Sequence, residues 1–257
     1  MKTIKGIRLM KNMEKISAIT CYDANMAKIA DSCGIDILLV GDSVANVLLG
    51  YKDTKSISTE EMLHHCRAVA RAKPKGLIVG DMPIHSYGNG KTALQNAKKF
   101  IATGCDAVKI EGAKIGVVKV LRKNKIEVMG HVGLLPQTAR SYKVKGKEMR
   151  EAKRILDNAV ALDEAGCFAV VLECIPMQLA KKITEAVSCP AIGIGAGKYC
   201  DGQVLVVNDM LGFNADGFRP KFVKRYANLA DEARKAIAEF REEVKEGRYP
   251  GRGFAYA

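Results

Sequence analysis

The stretch GLIVGDMPIHSYGNGKTALQNAKKFIATGCDAVKIEG, residues 76–112, reads as one strand–helix–strand unit. GLIVG and DAVKI are short, rich in Val and Ile and not alternately polar, the pattern of parallel strands covered by helices. KTALQNAKKFIATG between them has helical apolar spacing and ends in Gly, a common helix stop. Each strand runs directly into an acid, Asp81 after the first and Glu111 after the second.

The same unit repeats along most of the chain. ISAIT (from Ile16), IDILLV (from Ile35), IEVMG (from Ile126), FAVVL (from Phe168), PAIGI (from Pro190) and QVLVV (from Gln203) complete eight candidate strands. Helix-like segments such as STEEMLHHCRAVARA and EMREAKRILDNAVALDEAG lie between them. Eight strands alternating with helices predict an α/β fold, a (β/α)8 TIM barrel, whose usual size of roughly 250 residues suits a chain of 257. We read residues 1–257 as a single barrel domain, with additional C-terminal helices over 220–247. Two segments are long for barrel loops, Asn46 to Ser58 and GLLPQTARSYKVKGK after strand five, and long loops in compact domains are commonly lids or binding loops.

Composition narrows the class. The amino terminus is interrupted by charges every few residues, and no run reaches the roughly 20 apolar residues a membrane helix needs, so the expectation is a cytoplasmic protein without a membrane partner. The eight cysteines form no CxxC pair and mostly sit in or beside apolar runs, as reduced buried thiols do. A net charge of +13 raises the question of nucleic acid, but the basic residues are scattered and lack interleaved aromatics, which fits a solvated basic surface.

The signal of chemistry lies at the strand ends. Asp42, Asp81, Glu111, His131 and Glu173 each end a candidate strand, and in an α/β barrel those ends converge on the face where active sites are built. A single acid at such a junction can simply cap the next helix. Asp42, Asp81 and Glu111 from successive strands form a hard-oxygen set suited to Mg²⁺. Lys109 and Glu111, two residues apart, share one strand face, which fits a site for an anion and a metal or, alternatively, a structural ion pair. A Schiff-base role for Lys109 is a further option, weakened by its acidic neighbour. His131 is an additional candidate, with a satisfied core histidine as the other reading. His64 and His65 in EMLHHC read as helical surface or packing residues, and Gly193, Gly195 and Gly197 match no nucleotide-binding motif.

Together the segments ITCYD, LLVGDS, VGDMP, AVKIEG, GHVGLLPQ, VLECIP, IGIGAG, DGQVLV and RYPG resemble, in order, the motifs of the ketopantoate hydroxymethyltransferase family from about residue 16 to residue 250. The resemblance implies transfer of a hydroxymethyl unit from 5,10-methylenetetrahydrofolate to 3-methyl-2-oxobutanoate, giving 2-dehydropantoate for pantothenate synthesis through a Mg²⁺-stabilised enolate. It implies one Mg²⁺ per subunit held by Asp42, Asp81 and Glu111, with the oxo acid contacting Asp42, Ser43, Asp81 and Lys109, and Glu173 as proton acceptor. It also implies a tetrahydrofolate cosubstrate and a homo-oligomer, typically a decamer. Departures such as Val44-Ala45-Asn46 after VGDS, and GLLPQ for GLTPQ, spare every acid and the Lys and bear on the cosubstrate side. Two alternatives stand beside it: a Mg²⁺-dependent carbon–carbon lyase or mutase acting on another 2-oxo acid, and a basic nucleic-acid-binding protein.

Overall fold

In a computed structural model, which describes residues 2–214, 217 and 219–256, the expected eight strands close into a parallel barrel in sequence order. They are β1 (Ile16–Thr20), β2 (Ile37–Val40), β3 (Leu77–Asp81), β4 (Ala107–Lys109), β5 (Glu127–Gly133), β6 (Ala169–Glu173), β7 (Ala191–Ile194) and β8 (Gly202–Leu205). Pairing of β8 with β1, Ile16 opposite Gly202, completes the ring. Helices α1 (Ile4–Leu9), α2 (Ala24–Ser32), α3 (Val44–Val47), α4 (Thr59–Arg71), α5 (Gly90–Ala102), α6 (Ile115–Lys123), α7 (Met149–Glu164) and α8 (Met177–Ala186) belong to the same unit.

Local chemistry sets the helix ends. Ser58 and Glu61 form a reciprocal capping box on α4, Asp23 accepts from the amides of Asn25 and Met26 on α2, and Asn89 accepts from Thr92 on α5. Gly104, at φ +105, turns the chain from α5 into β4, a conformation disfavoured for residues with a side chain.

The barrel interior is filled by alternate strand residues. Ile16 and Ala18, Ile37 and Leu39, Leu77 and Val79, Ala107, Met129, Ala169 and Val171, Ile192 and Val204 form one buried cluster. Ile7 and Met10, from α1 and the residue that caps it, join this cluster. Acids just before strands act as staples: Asp36 accepts from the amide of Ser17, Asp106 from that of Ile78, and Asp201 from that of Ala191. The period of two that buries Leu77 and Val79 carries Asp81 to the inward face, and likewise Lys109 after Ala107, His131 after Met129 and Glu173 after Val171.

The chain divides into two compact units, Met1–Val206 and Val207–Ala257. The second holds α9 (Val207–Leu211), α10 (Leu229–Lys245) and a short 3-10 turn at Arg252–Phe254, so the helical part of the expected 220–247 segment is one long helix. Within α10, Ile237, Phe240 and Val244 lie on one stripe, and all three are exposed. No helix among the described residues is long and apolar enough to cross a membrane.

Candidate active site

At the carboxyl ends of the strands, the structure gathers the predicted ionisable residues into one buried network. The Lys109 ammonium donates to Asp81 Oδ2 at 2.7 Å, and that oxygen also accepts the backbone amide of Asp42 at 3.3 Å. His131 lies between two acids, with Nδ1 3.5 Å from Glu111 Oε1 and Nε2 3.2 Å from Glu173 Oε2. Neither contact is a well-aligned hydrogen bond, so the imidazole is held by the field of both carboxylates. Ser43, beside Asp42, shares a 2.8 Å hydrogen bond with the Tyr22 hydroxyl, and His65 Nδ1 lies 2.8 Å from the Tyr22 carbonyl oxygen.

Three connecting residues escaped the sequence reading. Gln137 Nε2 donates to Asp42 Oδ2 at 2.9 Å and to the Met82 carbonyl at 3.0 Å, while its backbone amide donates to Glu111 Oε2 at 3.1 Å. The Tyr87 hydroxyl donates to Gln137 Oε1 and accepts the Glu111 amide at 3.3 Å. Gln137 is fully buried, so this network both satisfies its amide and fixes Asp42 relative to Glu111. Gln137 ends the GLLPQ segment and Tyr87 sits in IHSYGNG. The sequence signal was their place in loops after strands β5 and β3, but a search for acids, lysines and histidines passes over both, as it passes over Tyr22.

Electrostatics follow from crowding in a buried site. Burial and the neighbouring Asp81 and Glu111 carboxylates push the Asp42 carboxyl well above the ordinary range, with Lys109 and Gln137 offsetting part of the effect. Burial raises Asp81 as well, against the pull of Lys109. Burial works to raise Glu111 too, but there the attraction of His131 and Lys109 prevails and holds it low. For Lys109, burial favours the neutral amine, yet Asp81, Asp42 and Glu111 outweigh it and keep the ammonium above its usual range. That is the wrong direction for a Schiff-base nucleophile. His131 is likewise drawn down by burial and up by Glu111 and Glu173, and it ends at about 9.

Among the described residues no three His, Cys, Asp or Glu side chains are placed close enough together to hold a metal ion as they stand. The donor chemistry nonetheless fits a hard divalent cation. Asp81 Oδ1 is buried without a hydrogen-bond partner, and among the described residues four carboxylates face Lys109 and His131 alone as balancing cations.

Gly133 sets the position of Glu173. Its amide and carbonyl belong to the strand pair in which Gly133 faces Glu173, its φ is +99°, and a Cβ there would stand 2.2 Å from the Glu173 carbonyl oxygen. Gly133→Ala is therefore expected to cost about 1–3 kcal/mol from backbone strain alone, and to displace Glu173. A thermal melt showing a fall of several degrees, together with reduced turnover, is the expected outcome; an unchanged melt would mean that the strands separate freely at this point.

Fold and site together define an α/β-barrel enzyme whose strand ends carry acids, a lysine and a histidine for chemistry on a small polar substrate. A sequence profile of the ketopantoate hydroxymethyltransferase family matches residues 1–252. The chain is 51% identical over 253 residues to a 3-methyl-2-oxobutanoate hydroxymethyltransferase of Clostridium kluyveri, covering 95% of this chain and 90% of the relative. It is 47% identical over 247 residues to the enzyme of that name from Syntrophomonas wolfei, covering 93% and 89%. The chain belongs to the ketopantoate hydroxymethyltransferase family.

Among solved structures, phosphonopyruvate hydrolase in complex with oxalate and Mg²⁺ aligns with a TM-score of 0.66 at 14% identity, over 99% of this chain and 93% of that one. A 2,3-dimethylmalate lyase of the phosphoenolpyruvate mutase and isocitrate lyase superfamily aligns at 0.63 and 15% identity, over 98% and 90%. At these identities the likeness is one of fold.

Proposed function

We propose that this chain catalyses transfer of a hydroxymethyl unit from 5,10-methylenetetrahydrofolate to 3-methyl-2-oxobutanoate, giving 2-dehydropantoate for pantothenate biosynthesis. The observation that carries the reading is the buried network of Asp42, Asp81, Lys109, Glu111, His131 and Glu173, set at the strand ends of a chain of this family. The fold shared with phosphoenolpyruvate mutase-type lyases gives the lyase alternative no comparable support, since it rests on 14–15% identity.

In this reading Lys109 and the Ser43 hydroxyl bind the oxo acid's carboxylate and keto oxygens, and Lys109 opposes the negative charge that grows on them. Glu173 takes the proton from C3. The resulting carbon nucleophile forms a bond to the methylene carbon of the folate as that carbon's bond to one folate nitrogen breaks. Water then replaces the second nitrogen, its oxygen becoming the hydroxyl, and the proton taken from C3 and one from water pass to the two nitrogens, which releases tetrahydrofolate. His131, between Glu111 and Glu173, holds the Glu173 carboxylate in place and keeps it from turning toward Lys109. Asp42, Asp81 and Glu111, the last through water, would hold one Mg²⁺ per subunit, and when bound the cation supplies Lewis-acid polarisation of the keto group.

We place the protein in the cytoplasm, in keeping with its eight unpaired cysteines, and in a homo-oligomer, a decamer by family resemblance. The exposed stripe of α10 is a surface available for assembly. The small-molecule partners are the 2-oxo acid and the folate; we assign no nucleic-acid or membrane partner.

The test is an assay with 3-methyl-2-oxobutanoate and methylenetetrahydrofolate. We expect product only when both are present, loss of turnover on chelation of divalent metal, and recovery with Mg²⁺. Cleavage or rearrangement of a 2-oxo acid without folate would favour the lyase reading instead, and turnover indifferent to a chelator would remove the metal from the scheme.

A further inference from the structure

Directly behind Glu111 and His131 lies a cleft of about 500 Å³ that includes none of the acids of the network. It begins at Gly112 and Gly133, each within two residues of a group in the network, and the Gly112 amide donates to the His131 carbonyl at 2.9 Å. Val132 alternates with His131 along β5, so the cleft lies on the outward side of the strand whose inward side carries His131, between that strand and α7. Val132, Leu135 and Ile155 contribute its apolar lining.

Its outer wall is basic. Arg140, Lys145 and Arg154 line it against one acid, Glu151. Glu151 is largely committed: its Oε2 accepts the Gly146 amide at 2.6 Å, and its Oε1 lies 3.9 Å from Arg154. Arg140 and Lys145 have no acidic partner among the described residues. The Lys145 backbone amide donates to the Cys174 carbonyl at 2.8 Å, which ties this wall to the residue after Glu173. The loop bearing Arg140 is also joined to the other long loop, since Lys55 Nζ donates to the Ala139 carbonyl at 2.8 Å.

An apolar floor that starts at the strand ends bearing Glu111 and His131, with a basic wall farther out, suits a ligand with a flat apolar body and an anionic end. Resting on the reaction proposed above, the geometry points to this cleft as the seat of the carrier's p-aminobenzoyl-glutamate tail, with Arg140 and Lys145 receiving the glutamyl carboxylates. The subsite's ligand class is thus an aromatic amide ending in one or more carboxylates, and a chain of several glutamates binds better than one. The cleft of about 600 Å³ lined by Arg8, Asn12 and Ser188 has no such relation to the network, because its residues adjoin α1 and the end of α8.

The experiment is calorimetric titration of the whole protein with p-aminobenzoyl-triglutamate and with 4-aminobenzamide, which lacks the tail. Wild type should bind the tailed probe at least about tenfold more tightly, and the Arg140→Ala, Lys145→Ala double variant should lose that margin. Lys153→Ala, which removes a charge on α7 that pairs with Asp157, controls for net charge and should keep it. In turnover, the double variant should raise KM for triglutamylated methylenetetrahydrofolate about tenfold and leave KM for the oxo acid within about twofold. Equal affinity of wild type for the two probes, an undiminished margin in the double variant, or equally tight binding of inorganic phosphate would each overturn the assignment. Tail binding that depends on Arg140 and Lys145 in a protein that transfers no hydroxymethyl group would leave the subsite standing and remove the reaction.

Discussion

Asp42→Asn is expected to lower turnover by roughly 10² or more while leaving the fold as stable as before or more so. Asp42 receives a hydrogen bond from Gln137 Nε2 at 2.9 Å and feels the Lys109 ammonium, but burial and the nearby Asp81 and Glu111 carboxylates outweigh both. Its carboxyl is pushed up by burial and by those neighbours, so the folded protein holds a proton there that the unfolded chain releases. The contribution of Asp42 to stability therefore falls as pH rises above the ordinary carboxylate range. Replacement by the neutral amide removes that loss, and melts without added metal should favour the variant increasingly as pH is raised. Asp81→Ala should behave differently. It strips Lys109 of the carboxylate 2.7 Å away and leaves an ammonium whose side chain is only 5% exposed. Breaking a buried pair from one side costs about 3–5 kcal/mol, so this variant should lose stability and turnover together. Adding Lys109→Met to Asp81→Ala should return much of the stability and none of the activity. Equal melting losses in Asp42→Asn and Asp81→Ala, or full turnover in either, would contradict the roles given to these two acids.

Much of this site was legible because a barrel converts sequence position into spatial position. Strand ends far apart in sequence, such as those bearing Asp42 and Glu173, come to one face once the eight strands close, and the inward side is set by the period of two. The Lys109–Glu111 pair shows both the reach and the limit of that logic. Their shared face was readable, but the partner of Lys109 proved to be Asp81 on the adjacent strand, directly opposite it in register, while Glu111 turned to His131. Strand periodicity says which face a side chain takes. It does not say which of several acids on that face wins the ammonium.

Gln137 was out of reach for a different reason. It lies in a long loop, carries no charge, and its value comes from contacts to Asp42, Met82, Glu111 and Tyr87, none of which is near it in sequence. Loop conformation is fixed by such contacts and not by hydrophobic period, so pattern reading has no purchase on it. Asp36, Asp106 and Asp201 teach the complementary lesson. They are acids beside strands too, but at the amino ends, where each accepts a backbone amide of a neighbouring strand and serves the barrel itself. Which end of the strand an acid occupies separates the two roles, and that much the sequence does carry.

Glu173→Gln should keep the fold and the binding of the oxo acid while losing proton removal from C3. The capping explanation for an acid at this junction does not hold here, because α8 starts at Met177 with Pro176 before it and no side chain caps it. Instead the Glu173 carboxylate reaches to His131 Nε2 on the adjacent strand β5, at 3.2 Å, with its side chain 16% exposed. Gln has the same length, and its carbonyl oxygen can still accept from the protonated imidazole, so packing and strand pairing should survive. What the amide lacks is affinity for a proton. A positioned carboxylate base supplies a factor of roughly 10² to 10⁴, and the variant should fall by that much in exchange of the C3 proton of 3-methyl-2-oxobutanoate into heavy water, followed by NMR with Mg²⁺ present. If exchange without folate is too slow in wild type, product formation gives the same reading, with KM for the oxo acid little changed and kcat carrying the loss. His131→Asn provides the contrast, since it removes the residue that positions Glu173 and leaves the base itself: a partial loss is expected there, smaller than that of Glu173→Gln. Exchange at the wild-type rate in Glu173→Gln, with the oxo acid and Mg²⁺ bound, would transfer the proton step to another group, and His131 would be the first to examine because it faces the same space.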